Sequence, residues 1–356
     1  MNVSKIQLLL LHVKTNKDYY SFTATYIDSL IIKRIYILCI AFSACLLSIG
    51  QDYHFSGFMH NLPYVNPAYA ALASSGEIGL TYRNQWPGIP ATFITYGAAL
   101  IVPVKSLNSG IGVTVLNDVQ GGGIINRTSA GILYGYNLQL GSNWQVGAGI
   151  GASFVMKRFN ADELAFRSDI LNELGYSYGT VVFDNYSKNY PDFSAGLMAG
   201  NKDQLKFGVS VSHLTRPYDS FSSAEPSRLP FKYTAFVSKR FEGSGQNGIS
   251  AEPSVFYSIQ SGNQELIWGT RVNITPVLMT GAWFRQNLKM NMDAFILSAG
   301  LSWDKYNIIY SYDVNMKKIN FLSTKMAAHE VTFLYRFKYK EEHQTRGNRK
   351  NICPAY

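Results

Sequence analysis

Three short patterns in the 356-residue sequence contain residue types that could carry out catalysis or bind a ligand. In the first, His213 follows Ser210 and Ser212, and a serine, a histidine and an orienting polar group can form the catalytic triad of a hydrolase. The segment 208–212 lacks the last glycine of the G-x-S-x-G pattern, and its alternation places His213 on an outward face. We therefore interpret His213 as an interfacial histidine at the end of a strand.

The other two patterns depart from the known sites that they resemble. His329-Glu330 begins like the zinc-binding helix of a protease, but Phe333 occupies the position of the second histidine. Gly147, Gly149 and Gly151 lack the spacing of a dinucleotide-binding loop, and no predicted helix follows them. These glycines indicate a wall that leaves room for bulky neighbours inside a barrel. The sequence therefore predicts a protein that is not an enzyme and that has no cofactor or metal.

The elements that position these residues are predicted to be β-strands, because apolar residues recur at every second position from Glu77 onward. In the segment 205–212 one face is apolar and the other is small or polar, with Leu205, Phe207, Val209 and Val211 on the apolar face. Such alternation is typical of a transmembrane antiparallel β-barrel, whose outer surface contacts lipid and whose lumen is polar. A soluble β-sandwich with its faces inverted would give the same alternation.

The number of strands and the lengths of their connections favour the membrane barrel. About fourteen strands can be placed between residues 76 and 338, and an even number closes a bacterial barrel with both ends on one side. The long connections, 159–191, 216–229 and 314–327, all follow odd-numbered strands and so lie at one rim. Because outer-membrane barrels combine short periplasmic turns with longer external loops, we expect this rim to face outward. The predicted fold class is all-β.

The first fifty residues predict export. Lys33-Arg34 precedes an apolar run from Ile35 to Ile49, and small residues precede Gln51, as in a signal peptide. We divide the chain into an N-terminal extension with signal peptide (1–50), a plug or periplasmic segment (51–75), the barrel (76–338) and a periplasmic C-terminal tail (339–356). An uncleaved anchor and a lipoprotein attached at Cys45 are the alternatives for the first segment.

Composition excludes several other classes of protein. With 47% hydrophobic and only 15% charged residues, the chain is neither a coiled coil nor a disordered protein. It has no block of basic residues, which argues against nucleic-acid binding. Cleavage before Gln51 would leave Cys353 as the only cysteine, so the exported chain could form no internal disulfide. The barrel must therefore be held by its own sheet and core.

Several motifs carry a resemblance to a known family. The N-terminal motifs are Gln51-Asp52 with Phe55-Ser56, then Asn66-Pro67-Ala68-Tyr69-Ala70, then Arg83-Asn84-Gln85-Trp86-Pro87-Gly88. Near the C-terminus follow Tyr310-Ser311-Tyr312-Asp313 and His329-Glu330-Val331. This order resembles the PorP/SprF family of type IX secretion system outer-membrane proteins. The resemblance implies an outer-membrane barrel that serves type IX secretion or gliding motility. It also implies three partners: outer-membrane lipid, the C-terminal sorting domain of a secreted adhesin, and periplasmic or peptidoglycan-associated secretion components.

The motif residues are the candidates for partner binding or for structural pinning. They are Asn66, Pro67, Tyr69, Arg83, Asn84, Gln85, Trp86, Gly88, Tyr312, Asp313, His329 and Glu330. Arg83 shares the inward face of its strand with Gly79 and Thr81, and the adjacent residues Asn84, Gln85 and Trp86 could pin the first external loop. The segment 159–191, rich in tyrosines and in charges of both signs, is the candidate for capturing a secreted partner. The alternative function is an outer-membrane solute channel or transporter.

Overall fold

The fold was analysed in a computed structural model, which describes residues 52–89, 92–161, 186–201, 205–221, 227–243, 249–316 and 327–338. The predicted signal peptide and C-terminal tail lie outside these residues, as does most of the predicted capture loop. Among the described residues, no helix is both long enough and apolar enough to cross a membrane.

Fifteen strand segments form one continuous sheet. They are β1 (Gly76–Gln85), β2 (Phe93–Val104), β3 (Ser109–Gln120), β4 (Ile125–Leu140), β5 (Trp144–Phe159), β6 (Tyr186–Asn201), β7 (Leu205–Ser212), β8 (Lys232–Lys239), β9 (Phe241–Glu242), β10 (Ser250–Gln260), β11 (Asn263–Asn273), β12 (Leu278–Gln286), β13 (Met292–Trp303), β14 (Tyr306–Asn315) and β15 (Ala328–Phe337). β8 and β9 both pair with β10 and together make one strand of the wall.

The sheet closes on itself. β1 pairs with β15 through Gly76↔Phe337 to Gln85↔Ala328, and all other pairings join neighbours along the chain in antiparallel register. With β8 and β9 counted as one, the wall is a barrel of fourteen antiparallel strands, and the predicted fold class is confirmed. Closure leaves the sheet without free edges over most of its height, which removes unpaired backbone groups from the lipid.

The two faces of the wall differ as the alternation predicts. Ile132, Ile150, Leu197, Val209 and Ile308 point outward and are exposed, as are many aromatic side chains on the same face. Aromatic rings also form ladders across neighbouring strands, such as Trp268, Phe284 and Phe295, whose successive centroids are 5.0 and 4.8 Å apart. An apolar outer surface with aromatic ladders matches a wall that contacts lipid hydrocarbon.

The connections alternate between two rims. The connections 160–185, 213–231 and 316–327 lie at one, which we name the long-loop rim. The opposite rim, which we name the terminal rim, has the start of β1, the end of β15 and short connections such as 141–143 and 304–305. Short turns mark the periplasmic side of such barrels, so the long-loop rim faces outward.

One strand begins earlier than the sequence suggested. β6 starts at Tyr186 and pairs with β5 from Tyr186↔Phe159, whereas the predicted loop ran to Pro191. Pro191 has no backbone N–H to donate, but β7 pairs with β6 only from Ala195 onward, so the proline removes no bond between these two strands. Residues 162–185 of the predicted capture loop lie outside the described residues.

The segment before β1 occupies the lumen. Its short helices are a 3₁₀ turn at Phe58–His60 and α-helices at Leu62–Val65 and Tyr69–Leu72. The last helix packs against strands β2 to β5, and the segment ends where β1 begins. We name residues 53–75 the plug.

Candidate functional site

Glycines on one half of the wall let the plug approach the sheet backbone. A Cβ atom at Gly149 would overlap the backbone of Ala68, and one at Gly110 would overlap the carbonyl of Ala70. At Gly196 an added Cβ would overlap the side chain of Asn66. The inward glycines of β3 to β6 are therefore needed to leave room for the plug. This agrees with the prediction that Gly147, Gly149 and Gly151 leave room for bulky neighbours inside the barrel.

The other half of the lumen holds a hydrophobic core instead of the small or polar surface that the alternation suggested. Phe58 and Leu62 of the plug pack with inward side chains of six strands, which are Met198, Phe236, Phe256, Ile267, Trp283 and Ile296. The ring centroids of Phe58 and Phe256 are 5.0 Å apart. The expectation of a polar lumen was therefore wrong for this half, because a folded plug must bury its own apolar side chains.

A cluster of buried charges fixes the first part of the plug to the wall. Arg83 of β1 is only 2% exposed, and its Nη2 lies 3.0 Å from Asp313 Oδ2 on β14. Its Nη1 lies 3.4 Å from Glu330 Oε2 on β15 and also donates to the Ser56 hydroxyl. The hydroxyl of Ser56 in turn donates to Asp313 Oδ1 at 2.5 Å. Arg83 thus joins two strands and the plug at one point.

The Glu330 carboxylate receives backbone donors from the plug. Ser56 N–H donates to Oε2 at 2.7 Å, and Gly57 N–H donates to Oε1 at 2.9 Å. The Asn61 amide also reaches Oε1, at 3.4 Å. A carboxylate that is only 1% exposed needs such partners, because an unpaired buried charge is very costly.

A second arginine extends the cluster along the wall. Arg285 Nη1 on β12 lies 2.9 Å from Asp313 Oδ2, and Arg285 Nε lies 3.0 Å from Asp293 Oδ2 on β13. Asp313 on β14 therefore accepts from two guanidinium groups, those of Arg285 on β12 and Arg83 on β1, each two strands away along the sheet. We name Arg83, Arg285, Asp313, Glu330 and Ser56 the charge lock.

Two histidines of the plug, His54 and His60, lie near arginines of the wall. Arg83 Nη2 lies 3.3 Å from His54 Nε2, and because a guanidinium can only donate, this ring nitrogen accepts and is unprotonated. Burial, followed by the nearby Arg285 and Arg83, lowers the pKa of His54 well below its usual value, although Asp313 and Asp293 oppose this. Burial and then Arg271 and Arg336 lower the pKa of His60 to about 3.

The Asn66-Pro67 motif anchors the middle of the plug. Asn66 Nδ2 donates to the carbonyls of Leu197 at 3.1 Å and Val209 at 2.9 Å, on β6 and β7. Its Oδ1 accepts from Ala68 N–H at 2.9 Å, which starts the following turn as the motif predicts. Pro67 packs on the Gly149 and Gly196 surface.

Tyr69 anchors the part of the plug that lies nearest the terminal rim. Its hydroxyl donates to Glu77 Oε1 at 3.0 Å, and Arg336 Nε donates to Glu77 Oε2 at 2.9 Å. The plug is therefore bonded to the wall at three heights, with the charge lock nearest the long-loop rim.

The remaining candidate residues lie on the outer wall or in the first loop. Tyr312 and His329 face outward, with ring centroids 5.1 Å apart, and Asn84 is the register partner of His329. The backbone of Trp86 adopts a positive φ of 62° and donates to the Ala327 carbonyl at 2.8 Å. Gln85 ends β1 and Gly88 lies in the turn after it. Of the twelve candidates, the structure thus brings Arg83, Asp313 and Glu330 together in the charge lock.

Sequence reasoning missed two members of the charge lock. Ser56 belongs to the Phe55-Ser56 pair quoted for the resemblance but was not selected as a site residue. Arg285 faces inward from a largely apolar strand, and an inward arginine in such a strand is a signal that could have found it.

The interpretation of His213 was wrong. His213 is buried and its Nδ1 lies 2.7 Å from Asp192 Oδ2, since the chain leaves β7 with a positive φ of 63° that turns the side chain inward. Ser210 does not complete a catalytic triad with it, because the Ser210 hydroxyl donates to the Val65 carbonyl of the plug at 2.6 Å. The Asp192–His213 pair instead fixes the start of the connection 213–231.

The described part of this connection is bonded to the wall near the long-loop rim. Lys157 Nζ on β5 lies 2.5 Å from Asp219 Oδ2, and the Tyr190 hydroxyl donates to Asp219 Oδ1 at 2.8 Å. Leu229 N–H donates to the Pro217 carbonyl at 2.8 Å, which holds the two sides of the connection together. Plug and connection are thus both bonded to inward residues of the wall.

Among the described residues, no group of three or more His, Cys, Asp or Glu side chains is arranged to bind a metal ion.

Several solved structures have a chain path that is partly similar to that of this chain. The P. putida toluene transporter TodX is 10% identical with a TM-score of 0.45, and the alignment covers 77% of this chain and 93% of that one. The Ralstonia pickettii toluene transporter TbuX is 10% identical with a TM-score of 0.43 and coverages of 76% and 92%. Omp33 of Acinetobacter baumannii is 10% identical with a TM-score of 0.40 and coverages of 74% and 98%.

A family model gives the decisive comparison. No curated protein sequence matches this chain. The model described as type IX secretion system membrane protein PorP/SprF matches residues 47–335, which include the plug, all strands up to β15 and every member of the charge lock. The chain therefore belongs to the PorP/SprF family of type IX secretion system membrane proteins and is an outer-membrane β-barrel.

Proposed function

We propose that this barrel is a non-enzymatic receptor of the type IX secretion machinery, which binds partner proteins at both rims and supports the export or surface attachment of a secreted adhesin. At the long-loop rim the partner would be the C-terminal sorting domain of the adhesin. At the terminal rim it would be a periplasmic or peptidoglycan-associated secretion component.

The observation that carries the proposal is the anchored plug. The plug is bonded to the wall at the charge lock, at Asn66 and at Tyr69, and the connection 213–231 is bonded to the wall at Lys157. A pore for solutes would need an open passage, whereas a binding barrel needs a rigid support for its loops. The locked plug favours the second role over a channel.

A pull-down from detergent-solubilised outer membranes tests the proposal. The tagged full-length protein would be compared with a variant in which residues 162–185 are replaced by a short Gly-Ser linker. The matched control replaces residues 317–326, which belong to another long connection at the same rim. A third variant lacks residues 339–356.

We expect the full-length protein to recover an adhesin and periplasmic components, both identified by mass spectrometry. Replacing residues 162–185 should remove the adhesin alone, the control should retain both, and deleting 339–356 should weaken recovery of the periplasmic components. A folded barrel that recovers no stoichiometric partner and conducts ions in a planar bilayer would refute the proposal and support a solute channel.

A further inference from the structure

A recess on the outer wall is distinct from the plug, the charge lock and the rims. It has a volume of about 680 Å³ and is formed by strands β4 to β8. This volume is within the range of about 300–1,000 Å³ that is usual for small-molecule sites. From this geometry we propose that the recess is a binding site for one acyl chain of a membrane phospholipid.

The shape of the recess follows from small residues in two neighbouring rows of the sheet. Ala148 and Ala195 face outward, and the backbones of Gly149 and Gly196 complete the floor. Larger outward side chains surround this floor, and they are Tyr134, Tyr136, Ile150, Leu197, Val209, Val211 and Tyr233. A floor of backbone and methyl groups bordered by larger side chains gives a recess that is open toward the membrane, from which an acyl chain could enter it.

The chemistry of the lining selects a hydrocarbon ligand. No residue that lines the recess carries a charged side chain. The one serine of the lining, Ser210, donates its hydroxyl to Val65 of the plug on the inner side of the wall. A charged ligand would lose its hydration here without gaining an ionic partner.

The depth of the recess indicates which lipids can reach it. Tyr136, Leu197 and Val209 each lie four residues from the terminal-rim end of their strand. At about 3.3 Å per residue, this is about 13 Å along the strand and about 10 Å in depth after allowing for a tilt of about 40°. The recess therefore opens to the leaflet next to the terminal rim. Phospholipid acyl chains of that leaflet lie against the wall at this depth and can enter the recess.

The floor of the recess is also the surface against which the plug is anchored. On the inner side of Gly149 and Gly196 lie Ala68 and Asn66, and Asn66 donates to the carbonyls of Leu197 and Val209 beneath the recess. The wall is thus only one backbone layer thick between an acyl chain and the plug. An ordered acyl chain would replace the fluid lipid that otherwise contacts this thin part of the wall.

Photo-cross-linking of the full-length protein in nanodiscs tests the proposal. The nanodiscs would contain phosphatidylethanolamine with a diazirine group on one acyl chain, and labelled peptides would be mapped by mass spectrometry. We expect labelling to be enriched on peptides from β4, β5 and β6 relative to the rest of the wall. The double variant Ala148→Phe/Ala195→Phe should lose this enrichment, whereas Ala282→Phe, an outward alanine on β12, should keep it.

Folding of each variant is checked by the heat-dependent migration of the intact barrel in SDS gels. If the double variant fails to fold, the single change Ala195→Leu takes its place with the same expected loss. Even labelling around the wall, unchanged by the variants, would overturn the proposal. Enrichment in nanodiscs that is replaced by cross-links to another protein in intact outer membranes would overturn it as well, because the recess would then be a protein interface.

Discussion

Replacing Arg83 by methionine tests whether the charge lock holds the plug in the lumen. The variant removes the donors to Asp313, Glu330 and Ser56 while keeping an unbranched side chain. Asp313 keeps Arg285 as a partner at 2.9 Å, but Glu330 keeps only the plug donors Ser56 N–H, Gly57 N–H and the Asn61 amide. Breaking a buried ion pair on one side typically costs about 3–5 kcal/mol.

That cost converts into a measurable loss of plug protection. At about 1.4 kcal/mol for each factor of ten, the ratio of docked to undocked plug should fall by roughly two to four orders of magnitude. The assay is limited proteolysis of the folded barrel, with mass spectrometry to follow cleavage within residues 53–75. The double variant Arg83→Met/Glu330→Gln should lose less plug protection than the sum of the losses in the two single variants, because Glu330 no longer leaves an unpaired charge in the lumen.

The control is Arg240→Met. Arg240 is 40% exposed and lies 3.6 Å from the exposed Glu242, so its loss should change stability by no more than about 1 kcal/mol. If Arg83→Met leaves the plug as protected as Arg240→Met does, the buried pairs do not hold the plug and the reasoning is refuted.

Three further predictions concern the plug. Asn66→Ala should lower its protection by about 1–3 kcal/mol, because the Ala68 N–H and the carbonyls of Leu197 and Val209 lose their partner, and the same proteolysis assay measures this. Gly149→Leu should prevent docking of the plug while the barrel still folds, because the new side chain would overlap Ala68. The control Ala130→Leu, on the outer face, should leave the plug protected, and normal protection in Gly149→Leu would contradict close packing of Ala68 on Gly149. Plug protection should be complete above about pH 6.5 and should decline as the pH falls from 6.5 toward 5, because the lowered pKa values of His54 and His60 mean that the docked plug disfavours the protons that the free segment binds. His54→Gln/His60→Gln should flatten this decline, and an unchanged pH profile in that variant would show that other groups cause it.

The fold was predictable because it depends on two local signals. Side chains alternate with period two along every strand, and a one-residue slip would move charged residues such as Lys157 from the lumen side into lipid. The lengths of the connections are also visible in the sequence, and they identified the long-loop rim before any pairing was known. Neither signal requires knowledge of which residues meet in space.

The charge lock was only partly predictable because its members are distant along the chain. Ser56 and Asp313 are 257 positions apart, and only closure of the barrel brings β1, β14 and β15 around the same point of the plug. The motifs marked Arg83, Asp313 and Glu330 as candidates without showing that they share one site. His213 shows the opposite error, since the alternation was extended one residue past Ser212, where β7 ends and a positive φ reverses the side chain.

The period of two also explains why the motifs contain adjacent pairs. In Tyr312-Asp313 and His329-Glu330, and likewise in Arg83-Asn84, one member faces the lumen and its neighbour faces the membrane side. The inward members form the charge lock, while the outward members form a row across β1, β15 and β14 through Asn84↔His329 and His329↔Tyr312. The contact between the plug and Glu330 and the outward ring of His329 are therefore carried by adjacent residues of the same strand. Alternation along a strand thus explains why a two-residue motif can contain one residue that anchors the plug and one that belongs to the outer wall.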